Sequence, residues 1–488
     1  MPETKIERGN VAAPKAGLWG WLDRRTGLDA ALRSALYEPI PGGARFAYVF
    51  GSGLLFIFIS QVITGIFLAL YYVPSADHAH TTVSYITKAV TAGSFLRSLH
   101  AYGASAMIIV LLLHLSQTYI YGSYKGPREI LWVSGCVLFA LVLGMAFTGY
   151  LLPWDQRAYF ATAVGTNAAS EVPIIGETLK RMMRGGTEMG TLTISRFFVA
   201  HVFLIPACVF ALVAAHILWF RKAGAAGPPD EDPYEPKKKT ELFYPRQVLM
   251  DLSLTALLII GLGSLCFFAP LQLGPPANPI DAQYVPRPEW YYLPIFQWLK
   301  YWHGAASVVG ILIIPMVLAV AIVALPFFDR SVERRPWKRP IAMGSYGFVL
   351  FALVGLGLRS QYLDSHDPSI AQQLAKQKSE EQEYMRKPFE PELSSATLAA
   401  ANAALADPQT AKGKAIFESQ SCNACHGDSG VGTAAAPALL GISAKFSTEQ
   451  LADLFKHPTV KMAAGGMPPI NLPPDDMKSL IAYVESLK

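Results

Sequence analysis

The chain has 488 residues, of which 52% are hydrophobic and only 16% charged, a composition that excludes an ordinary soluble domain and indicates a membrane protein. Its formal charge of +5 is not gathered into a basic and aromatic surface, so nucleic acid is excluded as a partner. This length has room for two or more domains.

Residues 1–45 form a charged segment without the apolar core and cleavage site of a removable leader, so the first span is expected to act as its own uncleaved signal. Seven segments are long and apolar enough to cross a bilayer: about 46–72, 100–121, 131–152, 197–220, 249–270, 305–328 and 341–358. Lys and Arg number 20 in the connections on one side and 8 on the other. The positive-inside rule therefore predicts a cytoplasmic N-terminus in the inner membrane and, after seven crossings, an extracytoplasmic C-terminus.

The second and fourth spans each carry a histidine near both ends. His100 and His114 are 14 residues apart in "HAYGASAMIIVLLLH", and His201 and His216 are 15 apart in "HVFLIPACVFALVAAH". One imidazole on an apolar face is ordinarily a satisfied core residue, but two such helices together are a far rarer pattern. At ~1.5 Å per residue the two rings of each helix lie ~21 to 22 Å apart, one near each membrane surface. Fourteen residues make four turns at 3.5 per turn and keep one face. Fifteen overshoot, and Pro206 offers a kink to absorb the excess. Neutral imidazole is the usual axial ligand of haem iron, so His100 with His201 and His114 with His216 are predicted to hold two non-covalent b-type haems.

After Leu358 the character changes. Residues 364–407 are rich in Gln, Ala, Glu, Ser and Lys and read as a linker or a loosely packed helix, whereas 408–488 read as globular. Of five cysteines, Cys136, Cys208 and Cys266 are isolated in spans and read as small packing residues. Cys422 and Cys425 sit in "CNACH", the attachment signature of a covalent c-type haem with His426 as iron ligand. A zinc or redox site is the alternative, but no second ligand pair follows at the right spacing. Met467 in "GGMPPI" is the leading sixth ligand, with Met462 and His457 as alternatives. Two amphipathic helices, with Gly413 and Phe417 packing near Tyr483, make this part resemble a small class I cytochrome c.

The four histidines, "GYLLPWDQ" (149–156), "VPIIGETLKRMMRGG" and "PEWYYLPIF" (288–296) together resemble cytochrome b of the Rieske/cytochrome b complexes over residues 35–358. The 15-residue spacing, PWDQ and seven spans are similar to the plastid and cyanobacterial branch, where the protein is split in two; here both parts are fused and a cytochrome c is added. That branch tethers an extra haem through a cysteine in the first span, where this chain has Val49. The expected fold is all-α: segment 1–45, a four-helix di-haem domain over 46–222, a three-helix domain over 223–358, a linker over 359–407 and a cytochrome c domain over 408–488.

The resemblance implies roles for further residues. Gly51 and Gly65, and Gly135 and Gly149, each pair 14 apart, would make room for the porphyrin faces, although glycine is also common in helix packing. Arg97 and Arg196 would meet haem propionates or are simply membrane-edge arginines. Glu289 and Tyr291 would belong to an outer quinol site, with Glu289 as proton acceptor. Arg221 and Asp251 would belong to an inner quinone site or are ordinary interfacial charges. The implied function is quinol:cytochrome c oxidoreductase with proton translocation, in a dimeric complex drawing on the membrane quinone pool. Quinol's two electrons would be split between a separate Rieske iron-sulfur protein with the haem c, which passes its electron to cytochrome c or an oxidase, and two b haems leading to the inner quinone. A non-bifurcating di-haem anchor subunit and a non-catalytic haem sensor or assembly protein are the alternatives.

Overall fold

A computed structural model describes residues 17–230, 240–281, 283–389, 407–427, 430–433, 436–464 and 466–487. The chain divides into two compact units. One comprises Met1–Pro153, Ala161–Gln272 and Arg287–Gln372; the other comprises Trp154–Phe160, Leu273–Pro286 and Gln373–Lys488.

Among its described residues, the first unit contains six helices long and apolar enough to cross a membrane: Phe50–Ala69, Gly93–Ile120, Glu129–Tyr150, Thr191–Ala223, Arg246–Phe268 and Pro340–His366. Phe50–Ala69 packs along Gly93–Ile120, and Glu129–Tyr150 along the second half of Thr191–Ala223. Ile57, Phe58, Met107, Val110 and Val209 interlock at the centre of these four, while most other apolar side chains face outward, as a lipid environment requires. Pro39–Pro41 pairs antiparallel with Thr240–Leu242, the described residues' only two-stranded sheet.

Two proline-containing helices share one distortion. A π-turn at Ala200–Leu204 ends two residues before Pro206, and another at Val309–Ile313 ends two residues before Pro315. Proline supplies no N–H and crowds the preceding turn, and widening that turn accommodates the loss. In the fourth helix the π-turn also takes up one residue. His201 and His216 thereby regain the same face despite their 15-residue spacing, through this widened turn ahead of Pro206. The apolar segment 305–328 folds as a shorter helix, Val309–Val323, followed by Leu325–Phe328 after a break at Ala324.

Within the region expected as linker, Pro368–Arg386 is a helix of 19 residues, and 390–406 lie outside the described residues. In the second unit, Pro408–Ser419 is capped by Asp407, whose carboxylate accepts from the Thr410 N–H at 3.0 Å. That helix crosses Pro474–Ser486 over a core of Phe417, Leu451, Phe455, Ile470, Leu480 and Tyr483. At the crossing a Cβ on Gly413 would stand 1.9 Å from the Ser479 carbonyl oxygen, so only glycine lets the backbones approach this closely. Gly413→Ala is therefore expected to destabilise this unit by about 1 to 3 kcal/mol. The check is a lower urea midpoint for proteolytic loss of residues 408–488 from the full-length protein; an unchanged midpoint would mean that the crossing tolerates a methyl group.

Candidate functional site

The four histidines form two pairs. The His100 and His201 rings have centroids 6.0 Å apart, and His114 and His216 lie on the same two helices, 14 and 15 residues further along. Each ring faces a glycine on a neighbouring helix. A Cβ on Gly65 would stand 3.2 Å from His100 Cε1, one on Gly149 2.5 Å from His201 Cε1, one on Gly51 4.0 Å from His114 Cε1 and one on Gly135 3.8 Å from His216 Cε1. All four glycines singled out in the sequence thus lie beside the four imidazoles.

The ring nitrogens are oriented by groups that the sequence reading missed. His201 Nδ1–H donates to the Met145 carbonyl at 3.0 Å. Thr64 spends its hydroxyl proton on the Ser60 carbonyl at 2.8 Å, leaving its oxygen to accept from His100 Nδ1–H at 2.9 Å. Ser134 likewise donates to Leu131 O at 3.0 Å and accepts from His216 Nδ1–H at 2.7 Å. With Nδ1 occupied, Nε2 of these three rings keeps the lone pair that a metal requires. The His100 and His201 imidazoles, with ring centroids 6.0 Å apart, would be the residues to hold a haem between these helices, supplying neutral imidazole nitrogens to its iron. The donors and glycine gaps fit haem. The available sequence signal was a hydroxyl residue immediately before a glycine in two spans, Thr64–Gly65 and Ser134–Gly135.

The arginines have protein partners. Arg97, buried, donates to the carbonyls of Leu271 at 3.2 Å and Gln272 at 2.9 Å, while Arg196 donates to the Met182 carbonyl. Glu289 is half-buried in a turn closed by Tyr292 N–H donating to the Glu289 carbonyl at 2.9 Å. Tyr291 stacks obliquely on Tyr292, with ring centroids 4.7 Å apart, and the Tyr292 hydroxyl donates to Leu143 O at 2.6 Å. Arg221 pairs with Glu38 at 2.7 Å and donates to Ser34 O at 3.3 Å. Asp251 accepts from Gln247 Nε2 at 2.9 Å, and Gln247 Oε1 accepts from Arg45 N–H at 2.9 Å. Arg221 and Asp251 thus make no ion pair with each other and are held by separate partners.

In the second unit Cys422, Cys425 and His426 share one short helix, Cys422–His426, with Cys425 next to the histidine. Burial pushes the Cys422 thiol up from its ordinary pKa. His426 Nδ1–H donates to Pro437 O at 2.8 Å, leaving Nε2 available. Met467 follows Gly466, whose φ of 90° needs glycine, and packs against the core. Its rival His457 is exposed and paired with Asp453 at 3.0 Å. These residues also fit a haem, held by two thioethers and one imidazole.

The fold and these donor sets describe a multi-pass membrane haem protein. Residues 36–224 match the family described as Cytochrome b/b6/petB, 276–376 that described as Cytochrome b(C-terminal)/b6/petD, and 410–488 that described as Cytochrome c. The chain is 33% identical over 368 residues to cytochrome b of Rhodobacter capsulatus, covering 70% of this chain and 84% of that one. It is 38% identical over 219 residues to the menaquinol:cytochrome c reductase cytochrome b subunit of Geobacillus thermodenitrificans, covering 43% of this chain and 98% of that one. A solved structure titled "Hyperthermophilic respiratory Complex III" superposes with a TM-score of 0.63 at 26% identity, covering 74% of this chain and 97% of that one. The chain belongs to the cytochrome b family and carries a cytochrome c domain at its C-terminal end.

Proposed function

We propose that this protein is the fused cytochrome b and cytochrome c subunit of a quinol:cytochrome c oxidoreductase of the inner membrane, with a cytoplasmic N-terminus and an extracytoplasmic cytochrome c domain. Two b-type haems would be held by His100 with His201 and His114 with His216, and one c-type haem by Cys422, Cys425, His426 and Met467. When bound, these haems supply reversible one-electron transfer. The observation that carries the reading is the two-tier array of paired histidines, each beside a glycine, in the same unit as the Glu289 turn. The name of the Geobacillus relative, a menaquinol:cytochrome c reductase subunit, supports quinol as the reductant and cytochrome c as the acceptor.

In this reading the electrons of quinol divide between a separate Rieske protein and an inner quinone, within a dimeric complex that releases protons outside and takes them up inside. Gly51, Gly65, Gly135 and Gly149 leave the space beside the imidazoles; Thr64, Ser134 and the Met145 carbonyl fix the tautomers of His100, His216 and His201. Glu289 accepts a quinol proton at the outer site, with Tyr291 beside it. Arg221 and Asp251 serve the inner quinone site, oriented by Glu38 and Gln247. Arg97 and Arg196 keep the outer histidines' helix ends in place through backbone carbonyls.

Glu289→Gln removes a proton acceptor and leaves every histidine in place. Quinol oxidation by the purified complex is expected to slow by roughly 10²-fold, the lower range for loss of a general base, with reduced-minus-oxidised haem spectra unchanged. Turnover equal to the parent at every pH would take Glu289 out of the mechanism.

A further inference from the structure

Beside the Glu289 turn lies an ion pair with no role in the reading so far. Arg287, two residues before Glu289, reaches Asp364 near the end of the helix Pro340–His366. Its Nε–H donates to Asp364 Oδ2 at 2.6 Å and its Nη2–H donates to Oδ1. Such a two-point fork fixes the direction of the guanidinium as well as its position. The side chains are only 17% and 15% exposed, so water competes little for either partner. The guanidinium also lies 5.5 Å over the ring of Phe296, in the helix Leu293–Leu299 that follows the turn, and Lys300 lies 4.9 Å from the same ring. Asp364 attracts both cations.

The other end of the turn is fastened as well. The Tyr292 hydroxyl donates to Leu143 O, in the helix Glu129–Tyr150, at 2.6 Å. The four residues Pro288, Glu289, Trp290 and Tyr291 therefore run between two anchors on two different membrane helices. Proline fixes φ at the first of them, and the hydrogen bond from Tyr292 N–H to Glu289 O closes the turn. A turn held at both ends presets where the Glu289 side chain leaves the backbone and in which direction; one anchored at a single end can swing. Proton transfer needs donor and acceptor within about 2.6 to 3.2 Å, and a 1 Å misplacement can cost roughly 10²-fold in rate.

We propose that Asp364, acting through Arg287, is a positioning residue that sets the Glu289 carboxylate for quinol oxidation, an inference that rests on Glu289 being the proton acceptor of the outer site. The rival explanation is that the pair merely fastens the last helix. The two differ in how the loss of Asp364 combines with the loss of Glu289.

The test uses the intact purified complex and its quinol oxidation rate against quinol concentration and pH, with the haem spectrum as the check on assembly. D364A is expected to lower kcat by about 10- to 100-fold with little change in KM, and to flatten the rise of rate with pH in the same way as E289Q. The double variant E289Q/D364A is expected to fall no more than about twofold below E289Q alone, because the support of an absent carboxylate contributes nothing. R287K keeps the charge without the fork and is expected to lie between D364A and the parent. A D364A kcat within about twofold of the parent, or losses that multiply in the double variant, would overturn the proposal. If D364A does not assemble, R287K carries the same comparison, and a loss that persists undiminished on the E289Q background overturns it. Parental turnover in E289Q alone would instead remove the assignment of Glu289, and the positioning role with it.

Discussion

Replacing His216 by alanine is expected to abolish one of two b-type haem signals and leave the other b signal and the c signal in place. His216 sits on the fourth membrane helix with Nδ1 held by Ser134 at 2.7 Å and its edge beside Gly135. Alanine removes the iron donor and leaves Ser134 and the Gly135 gap around an oversized, partly polar space, which neither repacks nor binds a porphyrin tightly. The outer pair, His100 and His201, belongs to the opposite end of the same helices, ~21 to 22 Å along the axis, and draws its hydrogen bonds from Thr64 and Met145. Its signal is therefore expected to survive. Reduced-minus-oxidised spectra and a redox titration of the purified variant decide this. Retention of both b components would mean that the histidine pairing is wrong, and loss of both would mean that the two tiers fold as one cooperative unit.

The residues that the sequence made legible are those whose spacing obeys helix geometry. Histidines and glycines 14 apart return to one face of a gently supercoiled helix, and all four glycines indeed lie beside the four rings. The π-turn at Ala200–Leu204 was not legible, because proline announces a distortion without specifying its form. Nor were the partners of Arg97: membrane-edge position alone does not show that the Leu271 and Gln272 carbonyls come within reach. Thr64 and Ser134 were overlooked because hydroxyl residues in spans usually bond only to their own helix, and each does so here while also holding a histidine. The helix Pro368–Arg386 was missed as a definite element for a different reason. Its composition lacks an apolar stripe, yet Asp367 before Pro368 is a start signal, as Asp407 before Pro408 is. The Asp367 carboxylate accepts from the Ser369 hydroxyl and from the Ser369 and Ile370 amides, which hold its pKa below the ordinary range.

Deleting residues 408–488 is expected to leave quinol binding and both b-haem signals intact while stopping steady electron flow to external acceptors. Among the described residues, the four-helix core of Ile57, Phe58, Met107, Val110 and Val209 and the cytochrome c core of Phe417, Leu451, Phe455, Leu480 and Tyr483 share no member. Within 364–407, read as a linker or a loosely packed helix, Pro368–Arg386 forms a helix about 28 Å long at ~1.5 Å per residue. What the covalent connection supplies is stoichiometry: an acceptor on a short link works at an effective concentration on the order of millimolar, and need not arrive by diffusion. In the truncated complex the Rieske electron has no resident acceptor, so its centre is expected to stay reduced after the first turnover until cytochrome c is added. Stopped-flow oxidation of the Rieske centre measures this directly. Oxidation at the parental rate without added cytochrome c would show that the fused domain is an accessory and that electrons leave the complex by another route.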